Sequence, residues 1–119
     1  MDIYLASIST NLYEIDKKAY KNIDNSLKYI YNNLKKLTTE YIEGCNFFDR
    51  DYVQNFFTKE FYEQYVNVNC RNEYGEFTIK KVEENKYQFV FVPYNIVLNQ
   101  TSPVERFIVC ELEILDLLV

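Results

Sequence analysis

Between Tyr20 and Tyr41 the apolar positions fall at Tyr20, Ile23, Leu27, Ile30, Leu34, Leu37 and Tyr41. The steps alternate between three and four residues, which is the spacing of one face of an α-helix. The opposite face is polar, with Lys21, Asp24, Asn25, Lys28, Asn32, Lys35 and Lys36. The pattern predicts a long amphipathic helix whose seam needs an apolar partner. Leu12, Ile15 and Ala19 continue the helical spacing upstream. Asn11 with Glu14 three residues later has the form of a capping box, and Asp16 offers a second cap. The helix is therefore expected to start near Leu12 or near Lys17. The first residues, Met1 to Ile8, suit a short strand through Ile3 and Leu5, and suit a helix through Leu5 and Ile8.

Gly44 is expected to close the long helix as a left-handed residue. Phe47 and Phe48 then return to the core. Asp49 or Asp51 caps a second helix reaching about Tyr65, with Tyr52, Val53, Phe56, Phe57, Phe61 and Tyr65 as its apolar positions. After Val66 the period changes to two. Val68 and Cys70 predict a short strand, and Tyr74-Gly75 a turn. Phe77, Ile79 and Lys81 form one face of the next strand, and Glu83-Glu84-Asn85-Lys86 is a hairpin turn. Tyr87, Phe89 and Phe91 alternate with Gln88, Val90 and Val92. A strand apolar on both faces is expected at the centre of a sheet. Pro93 ends it, and a loop follows from Asn95 to Pro103 with Ile96, Val97 and Leu98 inside it. The last strand runs from about Val104 to Leu115. Ile108, Cys110, Leu112 and Ile114 make one face; Phe107, Val109, Glu111 and Glu113 make the other. The expected fold is α+β: two N-terminal helices, one of them long, packed on a curved antiparallel sheet of three to four strands. With 119 residues and only two Gly and two Pro, residues 1–119 read as a single domain without a linker.

The long first helix, the run Gly44-Cys45-Asn46-Phe47-Phe48-Asp49 and the short helix ending Phe57-Thr58-Lys59-Glu60-Phe61 precede long C-terminal strands. That order over residues 20–117 resembles the NTF2-like superfamily, a cone of helices against a curved sheet. The resemblance implies a pocket between helices and sheet, or an assembly subunit. Enzymes of that superfamily commonly place an Asp/His pair in the cone. This chain has no histidine, so no catalytic residue carries over. A clear third helix between the first strands is also missing.

The absence of histidine removes Ser–His and Cys–His pairs, imidazole metal sites and the usual near-neutral general base. Two glycines cannot build a phosphate-cradling loop. Cys45, Cys70 and Cys110 lack metal-ligand spacing. They read as three small hydrophobes in a reducing compartment, or as one disulfide and a free thiol. Glu111 and Glu113 share one face of a strand, about 7 Å apart. They are either a carboxylate pair or the exposed acidic end of that strand. No catalytic residue, metal site or cofactor is assigned. The N-terminus lacks a positive region and a sustained apolar core, and no stretch approaches a membrane span. The expected location is cytoplasmic, without a membrane. Asn99-Gln100-Thr101 has the form of a glycosylation acceptor, but that needs a secretory route.

The net charge is −5. Residues 1–43 balance six Lys against six acids, so the excess lies in residues 44–119. This balance disfavours direct nucleic-acid binding. Clustered exposed acids at Glu73, Glu76, Glu83, Glu84, Glu111 and Glu113, with Tyr29 off the helical seam, are the candidate partner-binding residues. The alternative is a solvated acidic surface. The Asn-, Lys-, Ile- and Tyr-rich composition suggests an AT-rich coding genome. The leading expectation is a non-enzymatic protein-interaction module, in its sharpest form a phage or mobile-element inhibitor of a host defence enzyme of the anti-CRISPR type. The alternative is an NTF2-like protein binding a small apolar ligand or serving as an assembly subunit. A carboxylate or cation-dependent enzyme ranks third. The Tyr20–Tyr41 seam faces the chain's own sheet or pairs with its copy in a homodimer.

Overall fold

The computed structural model describes residues 2–10, 13–42, 44–64, 67–94 and 107–116. Two strands open the chain, β1 (Asp2–Thr10) and β2 (Glu14–Tyr20). The long helix α1 (Ile23–Tyr41) follows. A broken helical stretch comes next: a 3-10 turn at Phe47–Asp49, α2 (Asp51–Gln54), a second 3-10 turn at Asn55–Phe57, and α3 (Lys59–Gln64). Four strands complete the fold: β3 (Val68–Arg71), β4 (Gly75–Glu83), β5 (Lys86–Pro93) and β6 (Ile108–Asp116). All six strands form one antiparallel sheet in the order β2-β1-β6-β5-β4-β3.

The expectation of two N-terminal helices on three or four strands is therefore corrected. The fold is mostly sheet, with one long helix and short helical pieces. The largest error lies at Glu14–Tyr20, read as the upstream part of the helix and observed as a strand. Its residues are exposed on both faces apart from the half-buried Tyr20, so neither face carries a burial signal. The pairing register steps from Ile8–Asp16 to Ser9–Glu14, which leaves Ile15 as a bulge. The spacing of Ile15, Ala19 and Ile23 is thus not a helical face. The helix starts at Asn22, whose side chain caps the Asn25 N–H at 2.9 Å. The Asn11 cap and the loop at Asn95–Pro103, with the acceptor triplet inside it, lie outside the described residues, as does Tyr65.

Tyr20, expected at the start of the helical seam, belongs to β2 instead; from Ile23 to Leu37 the seam is as expected. Leu27, Ile30 and Leu34 are fully buried and Leu37 nearly so, and α1 lies over β1, β2 and β6. It packs on the chain's own sheet, one of the two roles open to it. The second helix is fragmented because its aromatic residues come in adjacent pairs. Phe47-Phe48 and Phe56-Phe57 are all directed at the core or its margin, whereas neighbours on a regular helix point about 100° apart. Extended backbone at Arg50 re-aims the chain between these pairs, and extended backbone at Thr58 turns it again after the second. Phe48 meets Phe77 edge to face at 5.2 Å, Phe47 meets Phe91 at 5.2 Å, and Phe57 stacks on Phe89 at 5.8 Å. Such geometries add to the burial of each ring.

The strands expected after Val66 are observed, except that Gly75, expected in a turn, opens β4 and the last strand is Ile108–Asp116 with Phe107 outside it. Phe77, Ile79, Phe89, Phe91, Ile108, Cys110 and Leu112 face the helices and are buried. The turn at Glu84-Asn85 joins β4 to β5, and β5 lies between β4 and β6. A second bulge at Val82 sits beside that turn.

Gly75 and Gly44 separate two costs. A Cβ at Gly75 would lie 2.5 Å from the Val92 carbonyl oxygen and 2.9 Å from the Phe91 ring. Gly44 has φ of 73° but open space around it. Gly75→Ala is expected to cost about 2–3 kcal/mol through overpacking, and Gly44→Ala about 1 kcal/mol through backbone strain alone. Urea unfolding of both variants checks this; equal losses would refute the close approach at Gly75.

Candidate interaction surface

The sheet has one covered face and one that no helix covers among the described residues. Alternation along the strands places Ile3, Leu5, Ser7 and Ser9 of β1 on the uncovered face, together with Val109, Glu111, Glu113 and Leu115 of β6 and Lys86, Gln88, Val90 and Val92 of β5. These side chains are half-buried by their sheet neighbours. The ladders group them. Val109 faces Val90 and Leu115 faces Ile3, while Glu111 lies between Ser7 and Gln88. Lys17 of β2 and Lys80 of β4 end that polar row, opposite Ser7 and Gln88 respectively. A polar band thus separates two apolar groups.

The six candidate acids do not form one patch. Glu73 accepts a hydrogen bond from Arg50 at 2.9 Å, at the β3–β4 turn. Its carboxyl is held below the usual range by a backbone hydrogen bond, with Arg50 adding to this. Glu76 accepts from the Asn69 amide at 2.8 Å and lies 3.4 Å from the Arg71 guanidinium. At the other end of the sheet, Glu83 closes β4 and Glu84 lies 3.5 Å from the Lys81 ammonium. Glu113 lies across from Lys86 on β5 and Leu5 on β1. Asp2 and Asp116 oppose one another on the adjacent ladder. Sequence reasoning missed Asp2 and Asp116, because only the β1–β6 pairing brings them together.

Tyr29 stands apart from all six. It projects from α1 toward β2, where its hydroxyl donates to the Asp16 carboxylate. The Lys18 ammonium lies 5.4 Å from the centre of its ring, and the Tyr20 ring lies 5.6 Å away. Burial pushes the Tyr29 hydroxyl pKa up, and the hydrogen bond to Asp16 adds to this. The same hydrogen bond, the largest cause, lowers the Asp16 carboxyl pKa. Tyr29 is a strut between helix and edge strand. Reading Asp16 as a helix cap concealed its partner.

The remaining chemistry is sparse. No group of three Cys, Asp or Glu residues able to hold a metal occurs among the described residues. All three cysteines are free thiols: Cys45 and Cys110 are buried, and half-buried Cys70 lies 3.9 Å from the Tyr52 hydroxyl. Burial pushes the Cys110 thiol pKa well up, so it stays protonated and unreactive. A cleft of about 280 Å³ at the start of α1 is lined by Tyr4, Lys21, Asn22, Ile23, Asp24 and Lys59. Among the described residues no helix is long and apolar enough to cross a membrane. No protein-family model matches the chain, and comparison with curated proteins and with solved structures gave no match.

The Asp16–Tyr29 contact has a definite pH signature. A carboxyl with a lowered folded-state pKa stabilises the fold above its unfolded pKa, and that contribution is lost as pH falls through the folded value. Tyr29→Phe removes the donor. The Asp16 titration, followed by NMR of its carboxyl carbon, is then expected to move upward toward the ordinary aspartate range. An unchanged titration point would show that Tyr29 does not hold this carboxylate.

Proposed function

We propose that the chain is a protein-binding module, without a catalytic step of its own, that docks a partner protein on the uncovered face of its sheet. The observation that carries this reading is the pair of apolar groups on that face, Ile3, Leu5 and Leu115 at one end and Val90, Val92 and Val109 at the other. Six strands about 4.8 Å apart, averaging about eight residues, span roughly 600 Å². That approaches the ~800 Å² that each side contributes to a standard interface. Glu111 and Glu113 lie on the same face, and Asp2, Glu83 and Asp116 lie at the sheet end beside it. They favour a partner with basic groups beside an apolar contact surface. An inhibitor of a host defence enzyme, encoded by a phage or mobile element, is one form such a module takes; acidity and composition permit it without requiring it. An internal ligand pocket has less support, because the rings of Phe47, Phe48, Phe77, Phe89 and Phe91 fill the space between helices and sheet.

The test is paired affinity capture with charge insertions on opposite faces. Val90→Glu with Val109→Glu is expected to abolish capture of the specific partner, while Lys28→Glu with Lys36→Glu, on the exposed side of α1, leaves it intact. Circular dichroism confirms that both variants fold. Retention of the partner by the sheet-face variant, or its loss only in the helix variant, would defeat the proposal.

A further inference from the structure

The free edge of the sheet at β2 has an uneven charge pattern. Its N-terminal half carries Glu14 and Asp16; its C-terminal half carries Lys17 and Lys18, with Lys21 just beyond. A strand that is acidic at one end and basic at the other is complementary to itself when paired antiparallel. β2 pairs with β1 on one side and stands at the sheet edge on the other. Its residues from Glu14 to Ala19 are exposed, and Ile15, at 42% exposure, is among the most exposed large hydrophobic residues described.

We propose that two copies of this chain associate through β2, antiparallel and symmetric about Lys17, to give one continuous twelve-stranded sheet. Directly opposed residues of an antiparallel pair share a face. In this register each Asp16 lies opposite the second copy's Lys18, on the helix side of the sheet. Each Ile15 lies opposite the second copy's Ala19, which covers part of its exposed surface. The only directly opposed like-charge pair is Lys17 with its own copy on the axis, on the uncovered face, where water screens it.

Neighbouring registers are worse. A shift of two residues one way opposes Asp16 to Asp16; a shift the other way opposes Lys18 to Lys18. A shift of one residue would put side chains on opposite faces. Lysines and a bulge ordinarily protect a sheet edge from indiscriminate pairing. Here the lysines act selectively: they oppose pairing with other strands, while this register neutralises Lys18. Residues Asp16 to Tyr20 lie beyond the bulge, in regular register with β1. Tyr29 holds Asp16, and Lys18 sits over the Tyr29 ring, so both charges are positioned before the copies meet.

The experiment is sedimentation equilibrium of the full chain over a concentration series, with charge reversals. Wild type is expected to populate a dimer as concentration rises. Asp16→Lys turns two attractions into two repulsions and is expected to weaken association by about tenfold or more. Lys18→Asp alone should do the same, and Asp16→Lys with Lys18→Asp should restore dimerisation. Circular dichroism confirms the fold of each variant. A wild type that is monomeric throughout overturns the proposal. So does a dimer indifferent to Asp16→Lys, or a double variant that stays as weak as the single ones.

Discussion

The ladder between β1 and β6 joins the two ends of the chain, and the rest of the structure depends on it. Nine residue pairs run from Asp2–Asp116 to Thr10–Ile108. β2 meets the sheet only through β1, and α1 rests chiefly on β1. The N-terminal hairpin and the C-terminal meander therefore become one sheet through this pairing alone. Ala6 lies opposite Leu112 and Ile8 opposite Cys110, and all four are fully buried. Small residues at Ala6 and Cys110 give the helix room to approach the sheet. The pairing also closes almost the whole chain length, an entropic cost repaid late. That places this topology among the slower-folding small domains.

A single helix cannot cover a sheet of this width. α1 is about 10–12 Å across with its side chains, whereas six strands span about 24 Å. The cover is divided accordingly. α1 lies over β2, β1 and β6, and the segment from Phe47 to Phe57 lies over β4 and β5. Tyr31 links the two parts: its hydroxyl donates to the Phe48 carbonyl and its ring lies 5.2 Å from Phe57. The second part trades regular helix for aromatic area. Each burial of a large ring is worth about 1.5–3 kcal/mol, which outweighs the hydrogen bonds lost in breaking a short helix.

What could be read from the sequence follows from which residues are buried on one side only. β4, β5 and β6 alternate buried and half-buried positions, so Phe77, Ile79, Phe89, Phe91, Ile108, Cys110 and Leu112 were legible as one face. The seam of α1 was legible for the same reason. β2 was not, because an edge strand exposed on both sides leaves no alternation to read, and its bulge disrupts the period further. The true cap, Asn22, is a strong helix starter, but the chance spacing of Ile15, Ala19 and Ile23 obscured it. The candidate surface was legible only as composition. Its acids were identifiable, but the length of β4 separates Glu73 and Glu76 from Glu83 and Glu84, and only β1–β6 pairing across more than one hundred residues adds Asp2 to the second group. Tyr29 lies off the seam, but a helical reading of Glu14–Tyr20 hides its partners on β2.

The charge of the chain shows why composition alone misleads. The excess of acids lies in residues 44–119, yet Glu73, Glu76 and Glu84 sit beside Arg50, Arg71 and Lys81. Surface pairs of this kind contribute little to stability, but they neutralise the field that a count of acids suggests. The reverse holds in β2, which belongs to the charge-balanced half of the chain. Its balance is a local separation of Glu14 and Asp16 from Lys17 and Lys18 along one strand. A partner surface senses such separations over about 8–10 Å, the range that salt leaves unscreened. The arrangement of charges along each element, more than the total, decides which faces of this sheet can be approached and by what.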